Sequence, residues 1–357
     1  MRKRRFRPRE PRRDQRHGKK NEKNEPSDFW SRLLGPPGEG HEFLEKTRCP
    51  ACEDDSARVL GRLGPTLRRQ CRACGLIFIS PRLSGAVRLE MLRREPTPLS
   101  SERNIHLRHD MAERLEQMHR EMPPLQGTAK GSSSLLEVGC RWGHFLQLCR
   151  PHYRTVEGLE WSKERAAFAA ERFDLNVSAT DILRDPWPQS YNVIAAWDVL
   201  ERETHPGEFL RWVHAHLLPG GQLALSTPNH DSICRRLLRS HWRYYDPSRN
   251  LAYFTPATLR ALLKETGFRD ISIRTAGLSS LGERLNRHNQ IDRSKDARGQ
   301  WLESLRAREE SSENRKEEAS IHDSLYKRIR RAVASPWERL IASPGWGDVM
   351  RVYARKA

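Results

Sequence analysis

The segment Leu135-Leu136-Glu137-Val138-Gly139-Cys140-Arg141-Trp142-Gly143-His144-Phe145 constrains the fold more than any other part of the chain. An apolar run carrying an acidic residue ends at Gly139, a second glycine follows at Gly143, and a new apolar pattern begins. These are the parts of a strand, a tight turn and a helix start. Glycine at both positions removes the Cβ where the chain bends sharply and where the following helix packs on a sheet. The amides of that helix start then face a bound ligand. A dinucleotide fold asks for Gly-x-Gly-x-x-Gly, with phosphates on the helix dipole. Here the order is acid, x, Gly, x, Arg, x, Gly. A carboxylate at the strand end repels a pyrophosphate and attracts an amine, so the spacing favours a ligand with a positive amino group.

The downstream sequence continues in the same style. Val156-Glu157-Gly158-Leu159-Glu160-Trp161-Ser162 reads as a second strand ending in Glu160, about twenty residues after the turn, where an acid takes the hydroxyls of an adenosine ribose in nucleotide-binding βαβ units. A strand-end carboxylate also serves as a plain helix cap. Ala179-Thr180-Asp181-Ile182 supplies a third loop acid, and Tyr191 to Glu201 reads as a fourth strand with its loop. His205 to Leu217 suits an amphipathic helix, Leu218-Pro219-Gly220-Gly221 a turn, and Gln222 to Ser226 a fifth strand. A last strand is expected at Val349 to Ala354.

Taken in this order, residues 75 to 275 resemble the class I S-adenosylmethionine-dependent methyltransferases. The resemblance implies an α/β fold with a Rossmann-like seven-stranded sheet and helices on both faces. It implies S-adenosylmethionine as cofactor, with Glu137 and the turn Gly139, Cys140, Arg141 and Gly143 on the methionine moiety. Glu160, beside Trp161, would take the ribose hydroxyls, Asp181 and Ile182 would flank the adenine, and Trp197 and Asp198 would line the pocket near the sulfonium. Cys140 is read as a small filler of the turn rather than a catalyst.

Within that class the chain is most similar to the ubiquinone-biosynthesis-type O-methyltransferases. Thr227-Pro228-Asn229, Trp242, Asp246-Pro247 and the run Asn250 to Pro256 stand where that subgroup has its Thr-Pro-Asn and Pro-x-His-Leu-x-x-Phe patterns. Thr255 should cap, and Pro256 start, a helix reaching Thr266. Three positions depart from the pattern. Arg141 takes the place of the middle glycine, Arg202 that of the histidine after Glu201, and Asn250 that of the histidine before Leu251. A side chain at 141 either crowds the methionine end of the cofactor or holds its carboxylate. Either lost histidine is of the type that serves as general base. Transfer from a sulfonium needs alignment and a deprotonated nucleophile, so His205, His230 and His241 become the candidates, each with a plain reading as a surface or core residue. No Asn/Asp-Pro-Pro-Tyr or Phe follows the fourth strand, which disfavours adenine N-methylation.

Upstream, Cys49-Pro50-Ala51-Cys52 and Cys71-Arg72-Ala73-Cys74 are two Cys-x-x-Cys pairs separated by eighteen residues. Each pair puts two thiolates within reach of one tetrahedral zinc, and two pairs close the shell. Four sulfur ligands leave no open position, so the expectation is a structural site in a small N-terminal zinc ribbon, with four cysteine ligands, over 45–82. Cys140, Cys149 and Cys234 stand apart, as reduced structural cysteines do.

Only 36% of the 357 residues are hydrophobic, so part of the chain must be solvated. Residues 1 to 26 hold twelve Lys or Arg against four Asp or Glu, a net of +8 out of +18, with no apolar cluster beyond Phe6. Such a segment cannot bury enough surface to offset its ordering entropy, so 1–28 is expected to be a basic disordered arm. The methyltransferase domain is expected over 100–357, with a charged helical insertion at about 283–342. No apolar run reaches the length of a membrane span and the start lacks the apolar core of a signal peptide, which points to the cytoplasm. The arm is a solubilising tail, a nucleic-acid contact or a weak contact to anionic membranes. The function expected is methylation, with O-methylation of a small-molecule, saccharide or lipid acceptor first. An RNA acceptor delivered by arm and ribbon, and an inactive cofactor-binding module, are the alternatives.

Overall fold

The computed structural model describes residues 43–88, 101–123, 132–180, 182–183, 185–277 and 345–357. The expected arm over 1–28, the insertion at 283–342 and Asp181 lie outside the described residues. In chain order the elements begin with β1 (Leu44–Glu45), β2 (Ala57–Leu63), β3 (Thr66–Cys71), β4 (Ile77–Ile79), β5 (Arg82–Leu83) and α1 (Ser101–Glu121). Then come β6 (Ser134–Val138), α2 (His144–Cys149), β7 (Thr155–Glu160), α3 (Lys163–Phe173), β8 (Asn176–Ala179) and β9 (Tyr191–Trp197). The remainder is α4 (Pro206–Ala215), β10 (Leu217–Pro228), α5 (Ile233–Leu238), β11 (Ala252–Tyr253), α6 (Pro256–Glu265), β12 (Phe268–Ala276) and β13 (Val349–Lys356).

Seven strands form one sheet in the order β12-β13-β10-β9-β6-β7-β8. β10, β9, β6, β7 and β8 run parallel, while β13 is antiparallel to both of its neighbours. The pattern of side chains explains why both faces are covered. Along β6, Leu135 belongs to a cluster with Leu115 and Met118 of α1, Phe145 and Leu146 of α2 and Ala169 of α3. Its neighbour Leu136 belongs to the opposite cluster, with Phe209, Leu210 and Val213 of α4 and Leu259 and Leu263 of α6. Successive strand residues point to opposite faces, so a near-continuous apolar strand is what a sheet buried on both sides requires. Each fully buried Leu or Val contributes about 1.5–3 kcal/mol.

The helix ends follow from local chemistry. Ser162 caps α3 by accepting the Arg165 N–H at 3.3 Å, and Asp174 ends it in the left-handed region at φ +52°. Thr255 and Thr258 form a capping box at α6 with Pro256 at its first turn, as the sequence led one to expect. The segment Leu218 to Gly221, read as a turn from its Pro-Gly-Gly, is instead the irregular start of β10, where the register on β9 shifts between Leu217 and Gln222. Gly220 takes φ +71°, which lets the strand carry that irregularity.

A second sheet has the order β11-β4-β3-β2, all antiparallel. Its first three strands in sequence come from the four-cysteine segment, but β11 comes from residues 252–253. Cys49, Cys71, Leu76 and Phe78 lie in the same apolar cluster as Leu136 and Ile194 of the large sheet. The described residues from Phe43 onward accordingly belong to one compact unit. No described helix is long and apolar enough to cross a membrane.

Candidate active site

A cavity of about 270 Å³ opens where the parallel strands end, lined by Val138 and Gly139 after β6, Glu160 and Trp161 after β7 and Trp197 to Val199 after β9. The carboxyl ends of neighbouring parallel strands are where such sheets bind ligands. Arg141, Arg165, Thr180, Ile182, Gly85, Arg88, Arg202 and Glu203 complete the wall.

The turn after β6 is held in left-handed conformations. Gly139 has φ +72° and Gly143 φ +77°. A Cβ on Gly139 would stand 2.7 Å from Val199 Cγ2, and one on Gly143 would stand 2.8 Å from Leu175 Cδ1 and 2.9 Å from Ala169 Cβ. Both glycines are therefore needed twice, for conformation and for close packing. Arg141, between them, also has a positive φ, +52°, at the position where the resembling family carries glycine. Its side chain is exposed and forms part of the cavity wall rather than filling the turn.

Glu160 closes the turn from the neighbouring strand. Its Oε2 accepts the backbone N–H of Arg141 at 2.9 Å and its Oε1 that of Ser162 at 3.1 Å. The guanidinium of Arg165 lies 3.8 Å from Oε1. Burial raises the Glu160 pKa, and the Ser162 and Arg141 amides with the Arg165 and Arg141 charges act against that rise. A carboxylate offers about four lone-pair sites. Two are taken by amides, so each oxygen keeps capacity for one more donor from the cavity. Arg165 is fixed in turn between the rings of Trp142 and Trp161, 5.6 Å from each centroid.

Behind the cavity, α1 delivers Arg114. It donates to Asp198 Oδ2 at 2.8 Å and to Ser226 Oγ at 3.2 Å, and stands 5.6 Å over the Trp197 ring. The Ser226 hydroxyl donates to Asp198 Oδ1 at 2.7 Å. Burial would raise the Asp198 pKa, but the Arg114 charge and these hydrogen bonds outweigh it and hold the group down at about 2. Glu137 points to the same face of the sheet. It is buried, its Oε2 finds no hydrogen-bond partner, and burial pushes its pKa well up against the opposing charge of Arg114.

Of the residues singled out from sequence, Gly139, Arg141, Glu160, Trp161, Ile182, Trp197 and Asp198 meet around the cavity. Glu137, Cys140 and Gly143 do not line it; Cys140 is buried against Gly158, and Gly143 packs on α3. None of the three histidines suggested as bases lines the cavity. His230 is buried among Trp242, Tyr245 and Tyr253 with its Nε2 at 2.9 Å from the Tyr245 hydroxyl. His205 precedes α4, its Nδ1 3.9 Å from Glu53, and His241 sits in an exposed turn at 239–241. The carboxyl of Glu201, in the turn after β9, is buried and is pushed up to about 7 by burial and by the Asp198 charge.

The four cysteines of the upstream pairs converge. All four Sγ atoms lie within 4.8 Å of one another, with Cys49 to Cys74 at 3.5 Å and Cys52 to Cys71 at 3.6 Å. These separations are far beyond a disulfide bond, about 2.05 Å. They match the edges, about 3.8 Å, of a tetrahedron with metal–sulfur bonds of about 2.3 Å. Tight turns set the arrangement: Glu53 N–H donates to Cys49 O at 2.9 Å and Gly75 N–H to Cys71 O at 3.2 Å.

Residues 107–273 match the family model described as a methyltransferase domain. The chain carries a methyltransferase domain. It is an enzyme domain, and its chemistry is methyl transfer. No curated protein matches the sequence significantly. Three solved structures with similarity to the methyltransferase domain illustrate the range. Phosphoethanolamine N-methyltransferase 2 of Haemonchus contortus, solved with S-adenosyl-L-methionine, is 16% identical over 78% of this chain and 62% of its own, with a TM-score of 0.47. The N-methyltransferase NodS of Bradyrhizobium japonicum, solved with S-adenosyl-l-homocysteine, is 21% identical over 54% and 90%, TM-score 0.39. A SAM-dependent methyltransferase of Archaeoglobus fulgidus is 16% identical over 69% and 94%, TM-score 0.41. The family match, not these distant similarities, carries the assignment.

The methyltransferase domain also uses residues that sequence reasoning passed over. Arg114 acts across 84 positions to reach Asp198, and nothing local marks it among the other arginines of α1. Arg165 had a signal, since it falls three residues after the cap Ser162 in the first turn of the helix that follows Glu160.

Proposed function

We propose that the methyltransferase domain binds S-adenosylmethionine in the cavity after β6, β7 and β9 and methylates an oxygen of a small-molecule, saccharide or lipid acceptor. The observation that carries this reading is Glu160, which lines the cavity and whose two oxygens each hold one turn amide, leaving each oxygen, by lone-pair count, capacity for about one more donor. A pair of vicinal hydroxyls fits that capacity. Trp161 and Ile182 offer apolar walls for an adenine beside it. S-adenosylmethionine, when bound, supplies a methyl group on a positive sulfonium. Asp198, ionised down to about pH 2 and fixed by Arg114 and Ser226, keeps a negative charge at the wall where that positive charge is to be accommodated. The N-terminal cysteines Cys49, Cys52, Cys71 and Cys74 would hold one zinc with a closed shell, a scaffold rather than a reaction centre.

Calorimetric titration of the purified full-length protein with S-adenosylmethionine and S-adenosylhomocysteine tests the first part. Micromolar binding, roughly −8 kcal/mol, is expected. Absence of binding to both would sink the cofactor assignment. Metal analysis tests the second, with one zinc per chain expected and loss of that zinc in Cys71→Ser. An RNA acceptor is the second reading, favoured by the hairpin 57–72, which holds five arginines and no acid. It requires RNA affinity that falls steeply with salt and collapses on deletion of residues 1–26.

A further inference from the structure

Two arginines in the cavity wall have more donors than acceptors. Arg88, only 8% exposed, donates through Nη2 to Arg202 O at 2.8 Å, while its buried Nε has no hydrogen-bond partner. Arg202 likewise has a buried Nε with no hydrogen-bond partner, its nearest acid being Glu201 Oε1 in a loose ion pair at 3.9 Å. Both residues line the cavity, on segments separate from the glycine turn and the loop after β7. A third arginine stands behind them, Arg82, but its needs are met by Glu45 at 2.7 Å and Thr204 O at 3.3 Å.

The charge balance around Arg88 is unfavourable. Burial, the like charges of Arg82 and Arg202 and the partial offset from Glu203 and Glu45 leave its pKa lowered to about 10. A buried guanidinium facing like charges is destabilised until an anion joins it. Its planar fork is matched by carboxylate or phosphate oxygens, which accept charge-assisted hydrogen bonds.

We infer that the methyl acceptor carries a compact anionic group, a carboxylate or a phosphate, which is seated against Arg88 and Arg202 in the cavity wall. This deepens the proposed function and rests on the cavity being the methyl-transfer site. The anion anchors the acceptor by a group other than the atom that is methylated, so it selects the substrate class and orients the acceptor without taking part in bond making.

The test uses full-length, zinc-replete protein saturated with S-adenosylhomocysteine, titrated by calorimetry with inorganic phosphate and, separately, with benzoate. Binding of at least one probe is expected, weakened about tenfold or more by Arg88→Gln and by Arg202→Gln, the scale of one charge-assisted hydrogen bond. Arg269→Gln, at an exposed site on β12, should leave it unchanged. Which probe binds tells phosphate from carboxylate. Arg88→Lys retains the charge without the fork and guards against a folding defect in Arg88→Gln, as does the S-adenosylhomocysteine affinity of each variant. Retained S-adenosylhomocysteine binding with no binding of either anion overturns this inference alone. Equal anion affinity in wild type and both glutamine variants also overturns it. Failure of S-adenosylhomocysteine itself to bind would strike the cofactor reading instead.

Discussion

Replacing Gly139 by alanine puts the central argument about the turn to a quantitative test. The new Cβ meets Val199 Cγ2 at 2.7 Å, where carbon–carbon contacts settle at about 3.5–4.0 Å, so the valine must move by roughly 1 Å. Overpacking of this kind costs about 1–3 kcal/mol. A non-glycine residue at φ +72° adds about 1–2 kcal/mol of strain, less about 0.5–1 kcal/mol because glycine loses more chain entropy on folding. The expected destabilisation is about 1–4.5 kcal/mol, read as a shift in the urea midpoint at constant slope. Val199→Ala removes the atom that is struck, so the double variant should recover the packing part and leave only the strain. A double-mutant cycle should then return a favourable interaction of roughly 1–3 kcal/mol between the two changes. Val199 also lines the cavity, so pushing it inward should weaken S-adenosylhomocysteine binding, and the double variant should restore part of that affinity. Gly143→Ala is the comparison, because its Cβ strikes Leu175 and Ala169, which lie outside the cavity wall. It should cost comparable stability with less effect on the cofactor. Additivity of Gly139→Ala and Val199→Ala to within about 0.5 kcal/mol would refute the reasoning.

Glu160→Gln keeps the shape but exchanges one acceptor oxygen for a donor facing an amide that is already a donor. One of the Arg141 and Ser162 amides loses its partner, and S-adenosylhomocysteine affinity should fall by about 1.5–3 kcal/mol in a calorimetric titration; unchanged affinity would remove Glu160 from the site. Arg141→Gly relieves a residue at φ +52° and should raise stability by up to about 1 kcal/mol after the entropic cost of glycine, whereas a loss of stability in urea would show that the arginine side chain contributes more than its backbone strain costs. His230 is held neutral in the folded protein, its pKa lowered to about 3 by burial and by Arg235 and Arg68. The unfolded chain therefore binds the extra proton below about pH 6.5, so this stabilisation is complete above that pH and is lost on acidification, by about 2 kcal/mol at pH 5. Glu201, with its raised pKa, has the opposite dependence, so the measurement is the difference between wild type and His230→Asn in urea at both pH values; parallel slopes would contradict the assignment.

The large sheet was legible because its signals are local. Leu135 and Leu136 feed opposite faces of a buried strand, and the glycines that follow are demanded by positive φ and by side chains packed against them. The four cysteines were legible for the same reason, since pairs at Cys-x-x-Cys spacing bring their own thiols together. The positions of the histidines were not legible, because the type of a side chain says nothing about which way its segment faces. His230 follows the Thr-Pro-Asn run that ends β10, yet an aromatic cluster supplied by Trp242, Tyr245 and Tyr253 claims its ring. Arg114 was invisible because its partner Asp198 lies just past the end of β9, and only the packing of α1 on the sheet brings the two together. The Leu218 to Gly221 segment failed differently: its turn residues are real, and the strand on either side absorbs them as an irregular register.

The departures at Arg202 and Asn250 acquire a structural sense from the four-cysteine segment. β4 pairs with β11, and from there hydrogen bonds run inward: Ile79 N–H to Leu251 O at 2.9 Å, then Leu251 N–H to Glu201 O at 2.8 Å. Arg82 and Arg88 add donors to Thr204 O and Arg202 O. The loop after β9 is thus held by three hydrogen bonds, from Leu251, Arg82 and Arg88, and Leu251 is itself held by Ile79 of β4. Each is worth about 0.5–1.5 kcal/mol net, enough together to fix the loop against the small free energies that move surface loops. Asn250, where the subgroup it resembles in sequence has histidine, is buried and donates to Tyr244 O at 2.9 Å, which braces the same junction. Asn250 thus ties the junction away from the cavity wall, while Arg202 lines the cavity. With neither position a histidine, proton removal under the proposed function falls to another group, and Arg202 joins Arg88 as the cation that the proposed anionic acceptor would meet.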